Sequence, residues 1–219
     1  MQLPRPRPSR GPIDGRYCRL EPLSLAHAAG LFETCADPGL YPYLFDEPPR
    51  DIGEMRAWIE RVAKNDDPLF FTVVDKSGGR AVGRQALMRI TPEHGVIEIG
   101  NVLWGRGAGR TRIATEALFL FARHSFDTLG YRRFEWKCHH ANLPSQAAAR
   151  RFGFAYEGTF RRHMWTKGAN RDTVWFAMID EDWPRLKAAY ERWLDPANFD
   201  PDGRQRAPLA ARNLEEDAT

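Results

Sequence analysis

Apolar residues recur along this chain at two spacings, and the change from one to the other sketches a sheet interleaved with helices. Residues 17–22 read as a strand, and Ser24 is a good cap for an amphipathic helix carrying Leu25, Ala28, Ala29, Phe32 and Cys35. Beyond a loop with Tyr41, Pro42, Tyr43 and Phe45, Asp51 and Glu54 have capping-box spacing, and Met55, Trp58, Ile59 and Val62 continue at helical intervals. Residues 69–74 are a continuous apolar run ending in Asp75-Lys76-Ser77-Gly78-Gly79, and residues 81–90 return beside it. Residues 96–103 form a third strand, and the glycine-rich stretch from Trp104 to Thr111 feeds a helix to about Thr128. That helix buries Ile113, Ala114, Ala117, Leu118 and Phe121. Residues 133–139 alternate, with Phe134, Trp136 and Cys138 on one face. Asn142 then caps a short helix, with Pro144 early in its first turn. Two strands, residues 155–165 and 171–179, flank a turn, and a final helix carries Trp183, Leu186, Tyr190 and Trp193 on one face.

This order predicts an α/β (α+β) fold, a mixed and mostly antiparallel sheet of about seven strands flanked by helices. Prolines at positions 4, 6, 8 and 12 make residues 1–14 an extended arm. The globular domain is expected over residues 15–180, with a helix at 181–194 packed on it and a loose, proline-containing tail at 195–219.

Composition narrows the function. With 42% hydrophobic and 12% aromatic residues, 219 residues can bury a sizeable core. No apolar run reaches the roughly 18 residues a membrane helix needs, and the arginine-rich start is no signal peptide, so no membrane partner and a cytoplasmic location are expected. Cys18, Cys35 and Cys138 show no CxxC pairing and read as reduced core thiols. A net charge of +3 from 32 basic and 29 acidic residues gives no reason to expect a nucleic-acid partner. The acidic end, Glu215, Glu216 and Asp217, is expected in solvent.

The loop before the central helix carries the candidate chemistry. Backbone N–H groups between a strand and a helix meet the positive end of the helix dipole, a site suited to anions. Gly107, Ala108 and Gly109 let the backbone approach closely, and Arg106, Arg110 and Arg112 add charge of the sign a pyrophosphate needs. The glycines are spaced GxGxG, which excludes the GxGxxG dinucleotide fingerprint, and no GxxxxGK[ST] loop is present.

Four stretches, Glu98 to Gly100, the loop through Thr115-Glu116-Ala117, Asn142 to Ser145, and Arg151 to Gly158, together resemble the GNAT superfamily of N-acetyltransferases. The likeness is strongest to its Rim-type branch and small-amine relatives. It implies acetyl-coenzyme A as co-substrate, no metal, and direct attack on the thioester by an amine acceptor, either a small molecule or a peptide N-terminus. It also implies that the strand ending at Trp104 holds the pantetheine arm, that the loop through Thr111 binds the pyrophosphate, and that Arg151 meets the adenosine phosphate. Around Val102 or Leu103 a backbone N–H would hold the carbonyl oxygen, and Asn142 would cap its helix and touch the pantetheine. Counting back from Glu116, the family's usual loop positions fall on Gly107, Arg110 and Arg112, so arginines stand where the pattern has glycine or alanine.

Where many relatives protonate the leaving thiolate with a tyrosine, this chain has Ala149. The Rim-type pattern places that role on Ser145, whose plainer reading is a first-turn serine satisfying a backbone amide. Glu98 and Glu157 are the candidate bases or amine-orienting groups, Glu98 being equally readable as a cross-strand ion pair. His139 and His140, adjacent on a strand, should point to opposite faces and so not chelate one metal. Trp104, Trp136, Trp165 and Trp175 read as core or pocket wall. The final helix is placed to cover the acceptor pocket or to make a homodimer contact. A coenzyme A-binding sensor without catalysis is the competing reading.

Overall fold

The computed structural model describes residues 2–211. Eight strands join in one sheet: β1 (Ile13–Asp14), β2 (Cys18–Pro22), β3 (Leu69–Asp75), β4 (Arg80–Thr91), β5 (Val96–Trp104), β6 (Arg133–His139), β7 (Ala155–Thr166) and β8 (Ala169–Ile179). Helices α1 (Ala28–Cys35), α2 (Ile52–Val62), α3 (Arg112–Arg123), α4 (Leu143–Arg151) and α5 (Trp183–Trp193) flank it. The expected mixed, mostly antiparallel sheet is present, in the order β1-β2-β3-β4-β5-β6-β8-β7. The strand beyond the anticipated seven is β1, whose two residues pair with Leu20 and Arg19. So short a strand leaves no periodicity to read.

Alternation sorts the core onto two faces. Leu69, Phe71 and Val73 of β3 join the cluster under α3, whereas Phe70 packs with Leu31 of α1 and Ile59 of α2. This explains why β3 reads as continuously apolar: both of its faces are covered. Burying such a side chain fully contributes about 1.5–3 kcal/mol. The central helix α3 is capped by Thr111, whose hydroxyl accepts from the Ile113 amide at 3.2 Å. It stays α-helical to Arg123 and continues as a π turn over His124–Thr128. Glu116, 3% exposed, accepts from the amides of Arg16, Tyr17 and Cys18 at 2.6–2.7 Å and so pins the approach to β2. Gly15 makes this possible, because a Cβ there would lie 2.6 Å from the Glu116 carboxyl carbon.

The feature that opens the site is the parting of β5 from β6. Their parallel pairing spans only Val96–Ile99 against Arg133–Trp136. Beyond it, β5 carries an extra residue against β4: Gly100 faces Ala86 while Leu103 faces Arg84. Asn101, in the bulge, has φ +51°. A bulge bends its strand, so β5 turns away and a cleft opens between it and β6.

Residues 195–211 depart from the loose tail expected of them. Phe199, Leu209 and Ala211 are buried in the main core, and Trp193 Nε1 donates to Gln205 Oε1 at 2.9 Å. Proline stops a helix but does not prevent apolar side chains from covering a neighbour's face. The acidic run at 215–217 lies outside the described residues. Arg10, in the predicted arm, donates to the carbonyls of Ala63 and Asn65 at 2.6 and 2.7 Å. No helix among the described residues is long and apolar enough to cross a membrane.

Candidate functional site

The cleft opens into two chambers, of about 830 Å³ and about 360 Å³. The larger lies beside the glycine-rich loop and the first turn of α3. Val102, Leu103, Trp104, Gly109, Arg110, Thr111, Arg112, Asn142, Ser145 and Arg151, all singled out from the sequence, line it. Gly107 and Ala108 lie outside this lining. Ala108 is fully buried in the core and its amide donates to the Gly105 carbonyl at 3.1 Å, while Gly107 turns the loop at φ +85°. The amides of Arg110, Arg112 and Ala114 have no hydrogen-bond acceptor among the described residues. Unpaired donors at the start of a helix suit an anion.

The guanidinium groups here are held by rings rather than by carboxylates. Arg112 lies over Tyr17 at 4.4 Å and Phe199 at 5.4 Å. Arg151 donates to Thr115 Oγ1 at 3.1 Å and stands 5.2 Å from the Phe152 and Trp193 rings. Burial, which penalises its charge, pulls the Arg151 pKa down. Among the described residues none of Arg110, Arg112 and Arg151 forms an ion pair. Arg106, in contrast, points away, 81% exposed and 3.7 Å from Asp37. Trp193, Phe199, Arg204 and Gln205 complete the wall. The final helix therefore borders this chamber and not the smaller one. Sequence reasoning missed the contribution of residues 199–205, because their spacing follows no regular period.

Five residues line both chambers besides Leu40: Val102, Trp136, Asn142, Pro144 and Ser145. The Asn142 side chain caps α4 by accepting from the Ser145 amide at 3.1 Å. Ser145 does not serve a backbone amide with its hydroxyl; its Oγ accepts from Trp136 Nε1 at 3.0 Å. A hydroxyl that accepts there keeps its own proton to donate. Trp104 is fixed by donating to Gln85 Oε1 at 3.2 Å, and Gln85 in turn donates to the Ala117 carbonyl of α3 at 2.8 Å.

The smaller chamber is walled by β4, β5, β6, β7 and β8 and by the loop from Gly39 to Phe45. Glu98, 3% exposed, accepts from Arg89 with both oxygens at 2.8 Å and from Lys137 at 2.8 Å. Lys137 also meets Glu135 at 2.7 Å and sits 3.7 Å from the Trp175 ring centre. Burial pushes Glu135 up, but hydrogen bonds from Lys137 and Arg133 outweigh it and hold that carboxyl below its ordinary range. Glu157 is not brought to the site. It forms a two-pronged pair with Arg133 at the start of β6 and lines neither chamber. Arg89, Lys137, His163 and Arg171 line the chamber without having been singled out; Lys137 was legible only as a polar position between Trp136 and Cys138.

Two further expectations are corrected. His139 and His140 do not diverge: β6 ends at His139, and the turn that follows stacks the two rings 4.8 Å apart. No group of three His, Cys, Asp or Glu side chains that could hold a metal occurs among the described residues. Trp165, beside the β7–β8 turn, is 75% exposed and belongs to neither core nor pocket.

Residues 18–155 match the family model described as the acetyltransferase (GNAT) domain. The chain is 51% identical to a GCN5-related N-acetyltransferase from Brucella melitensis, whose crystal structure superposes with a TM-score of 0.92 over 95% of this chain and 96% of that one. It is 28% identical, over 61% of its length and 74% of the relative's, to the SPbeta prophage-derived uncharacterized N-acetyltransferase YokL of Bacillus subtilis. The fold alone is shared with RimL, a ribosomal alpha-N-protein acetyltransferase, at 20% identity and TM-score 0.65 over 77% of this chain and 94% of that one. The splayed β5 and β6, the loop and α3 are thus the frame of a chain that belongs to the GNAT acetyltransferase family.

Proposed function

We propose that this chain transfers an acetyl group from acetyl-coenzyme A to a primary amine by direct attack. The observation that carries the reading is the meeting of two chambers of different chemistry at Val102, Trp136, Asn142 and Ser145. When bound, acetyl-coenzyme A supplies the acyl group on a thioester and a thiol as leaving group. Arg110, Arg112 and Arg151, with the free amides of α3, hold its phosphates. The β5 edge from Gly100 to Trp104, released from β6, offers main-chain groups to the pantetheine and, near Val102 or Leu103, to the carbonyl oxygen.

Ser145 donates its hydroxyl proton to the departing sulfur, with Trp136 holding the oxygen in place, and the proton that the attacking nitrogen sheds as the amide forms returns to the serine oxygen through water. Cys138 lines the acceptor chamber, but burial pushes its thiol pKa up, against a weaker opposing hydrogen bond from Ser145, which disfavours the thiolate that a covalent nucleophile would need. Both oxygens of Glu98 are engaged by cations, so we assign it to organising Arg89 and Lys137. The excess of cations disfavours an ammonium ion and favours entry of the acceptor as a neutral amine, its proton going to water. The chain's acceptors include protein N-termini, as in the Rim-type branch, and it acts in the cytoplasm.

Transfer of labelled acetyl from acetyl-coenzyme A to a panel of amines and peptides tests this, alongside calorimetric titration with the donor. Donor binding without transfer to any acceptor would return the sensor reading. No heat with any coenzyme A ester would end both.

A further inference from the structure

Among the described residues, the cations with buried side chains have carboxylate partners, with one exception in the acceptor chamber. Arg84 pairs with Asp46 at 2.7 Å, and Lys137 with Glu98 and Glu135 at 2.8 and 2.7 Å. Arg171 is 7% exposed and forms no ion pair among the described residues. Its guanidinium donates from Nη1 to the Tyr43 carbonyl at 3.2 Å and lies 4.8 Å from the Phe45 ring centre. Its Nε is buried with no partner. A buried charge left so is costly unless something supplies the opposite sign.

The chain does not supply it. Among the described residues the only carboxylate lining the chamber is that of Glu98, already engaged by Arg89 and Lys137, so Arg89, Lys137 and Arg171 outnumber it three to one. The guanidinium is also held in place. Lys167 Nζ donates to the Tyr41 and Asp46 carbonyls at 3.1 and 3.0 Å, which ties the β7–β8 turn to the loop bearing Tyr43 and Phe45. A fixed planar fork with unused donors matches a carboxylate.

We infer that the acceptor is an amine that also carries a carboxylate, and that Arg171 binds this carboxylate while the amine is presented at Ser145. The inference rests on the acetyl-transfer reading and adds the substrate class. A chamber of about 360 Å³ admits a free amino acid or the first residues of a peptide. The shared feature is the carboxylate, whether it is the α-carboxylate of an amino acid or the side chain of an acidic residue at a peptide's start.

The test uses the full chain with labelled acetyl-coenzyme A and matched probes: free amino acids against their amides, and peptides beginning with Asp or Glu against those beginning with Asn or Gln. The same probes are titrated calorimetrically, so that binding is read even where transfer is slow. We expect the carboxylate member of at least one pair to have a KM or Kd lower by tenfold or more. Which pair responds identifies the source of the carboxylate. Arg171→Gln should erase that preference while leaving the acetyl-coenzyme A Kd within twofold, and Arg171→Lys should restore part of it; the unchanged donor Kd shows that the variants are folded. Equal or better use of the neutral probes, no binding of any carboxylate probe, or a preference that survives Arg171→Gln overturns the inference while donor binding and transfer leave the acetyltransferase reading intact. Failure of acetyl-coenzyme A to bind the unaltered protein removes both.

Discussion

The two chambers solve opposite problems with the same residue type. Among the described residues the larger has four arginines, Arg110, Arg112, Arg151 and Arg204, and no acidic or histidine side chain in its wall. Its donors come from a loop, a helix end and the segment after α5, and their charges await a ligand. The smaller takes Arg89, Glu98 and Lys137 from a network of strand side chains that continues outside it through Glu135 and Arg133 to Glu157, with Arg171 left over. Gripping a flexible polyphosphate needs sign and reach, which a loop provides. Placing one nitrogen needs rigid geometry, which a sheet provides.

If that division is right, the largest effect should come from breaking the strand network. Removing one member of a buried ion pair costs about 3–5 kcal/mol, because the other charge is stranded. Glu98→Gln leaves Arg89 unpaired and takes from Lys137, whose side chain is 6% exposed, one of its two carboxylates, Glu135 remaining at 2.7 Å, which places the cost at the lower end of that range. Thermal denaturation should show a loss on the order of 10 °C, while the variant, kept below its new transition, binds acetyl-coenzyme A as before. A melting point that does not move would mean the network is idle.

The next largest effect lies at the junction. Ser145→Ala should lower kcat by about a hundredfold, within the range for positioned acid catalysis, and change the acetyl-coenzyme A Kd less than twofold. Trp136→Phe removes the donor that fixes Oγ and should lower kcat by a smaller factor. Steady-state kinetics on both variants decides: an unchanged kcat in the alanine variant takes Ser145 out of the mechanism.

Crossing the arginines then sharpens the comparison itself. Arg151→Gln should raise the acetyl-coenzyme A Kd by about tenfold, the scale of one charge-assisted contact, and leave the acceptor KM alone; Arg171→Gln should do the reverse. Calorimetry and initial rates on the two variants would expose a shared role if either change moved both constants.

How much of this could be read in advance follows the same division. The cofactor side was largely legible, because a glycine-rich loop between a strand and a helix has a local spacing, and Asn142 to Ser145 a local cap. Even there, that Gly107 and Ala108 fall outside the chamber's lining was not legible, since which amide of a loop points inward depends on turn geometry. The acceptor side was nearly silent. Arg171 and Lys137 are charged residues on strands, which alternation assigns to solvent, and only the splay of β5 from β6 turns them into a wall. Glu157 was misplaced for a related reason: the β7 bulge after Tyr156 and its pairing with Arg133 are contacts between strands distant in sequence. The packed segment at 195–211 hid because its order comes from tertiary burial rather than from periodic structure.

The smallest expected effect separates the chambers by pH. Histidine lines the acceptor chamber and not the cofactor one. Burial foremost, then neighbouring His140 and Arg171, pull the His139 pKa below its ordinary 6.5, with Asp172 opposing weakly. Its Nδ1 also accepts from the Ala141 amide at 3.0 Å, a bond that protonation there would break, and its ring stands 5.2 Å from Tyr43. As pH falls through 6.5 the unfolded chain takes up this proton before the folded one does, so the unfolded state gains and stability declines. His139→Gln should therefore flatten the fall in melting temperature between pH 7.5 and 5.5, by no more than about 2–4 °C. His124, whose pKa burial also lowers but which lines neither chamber, supplies the control: His124→Gln should flatten the same slope without touching acceptor KM. If the His139 variant follows the unaltered protein at every pH, its ring is solvated and the acceptor chamber is more open than its walls suggest.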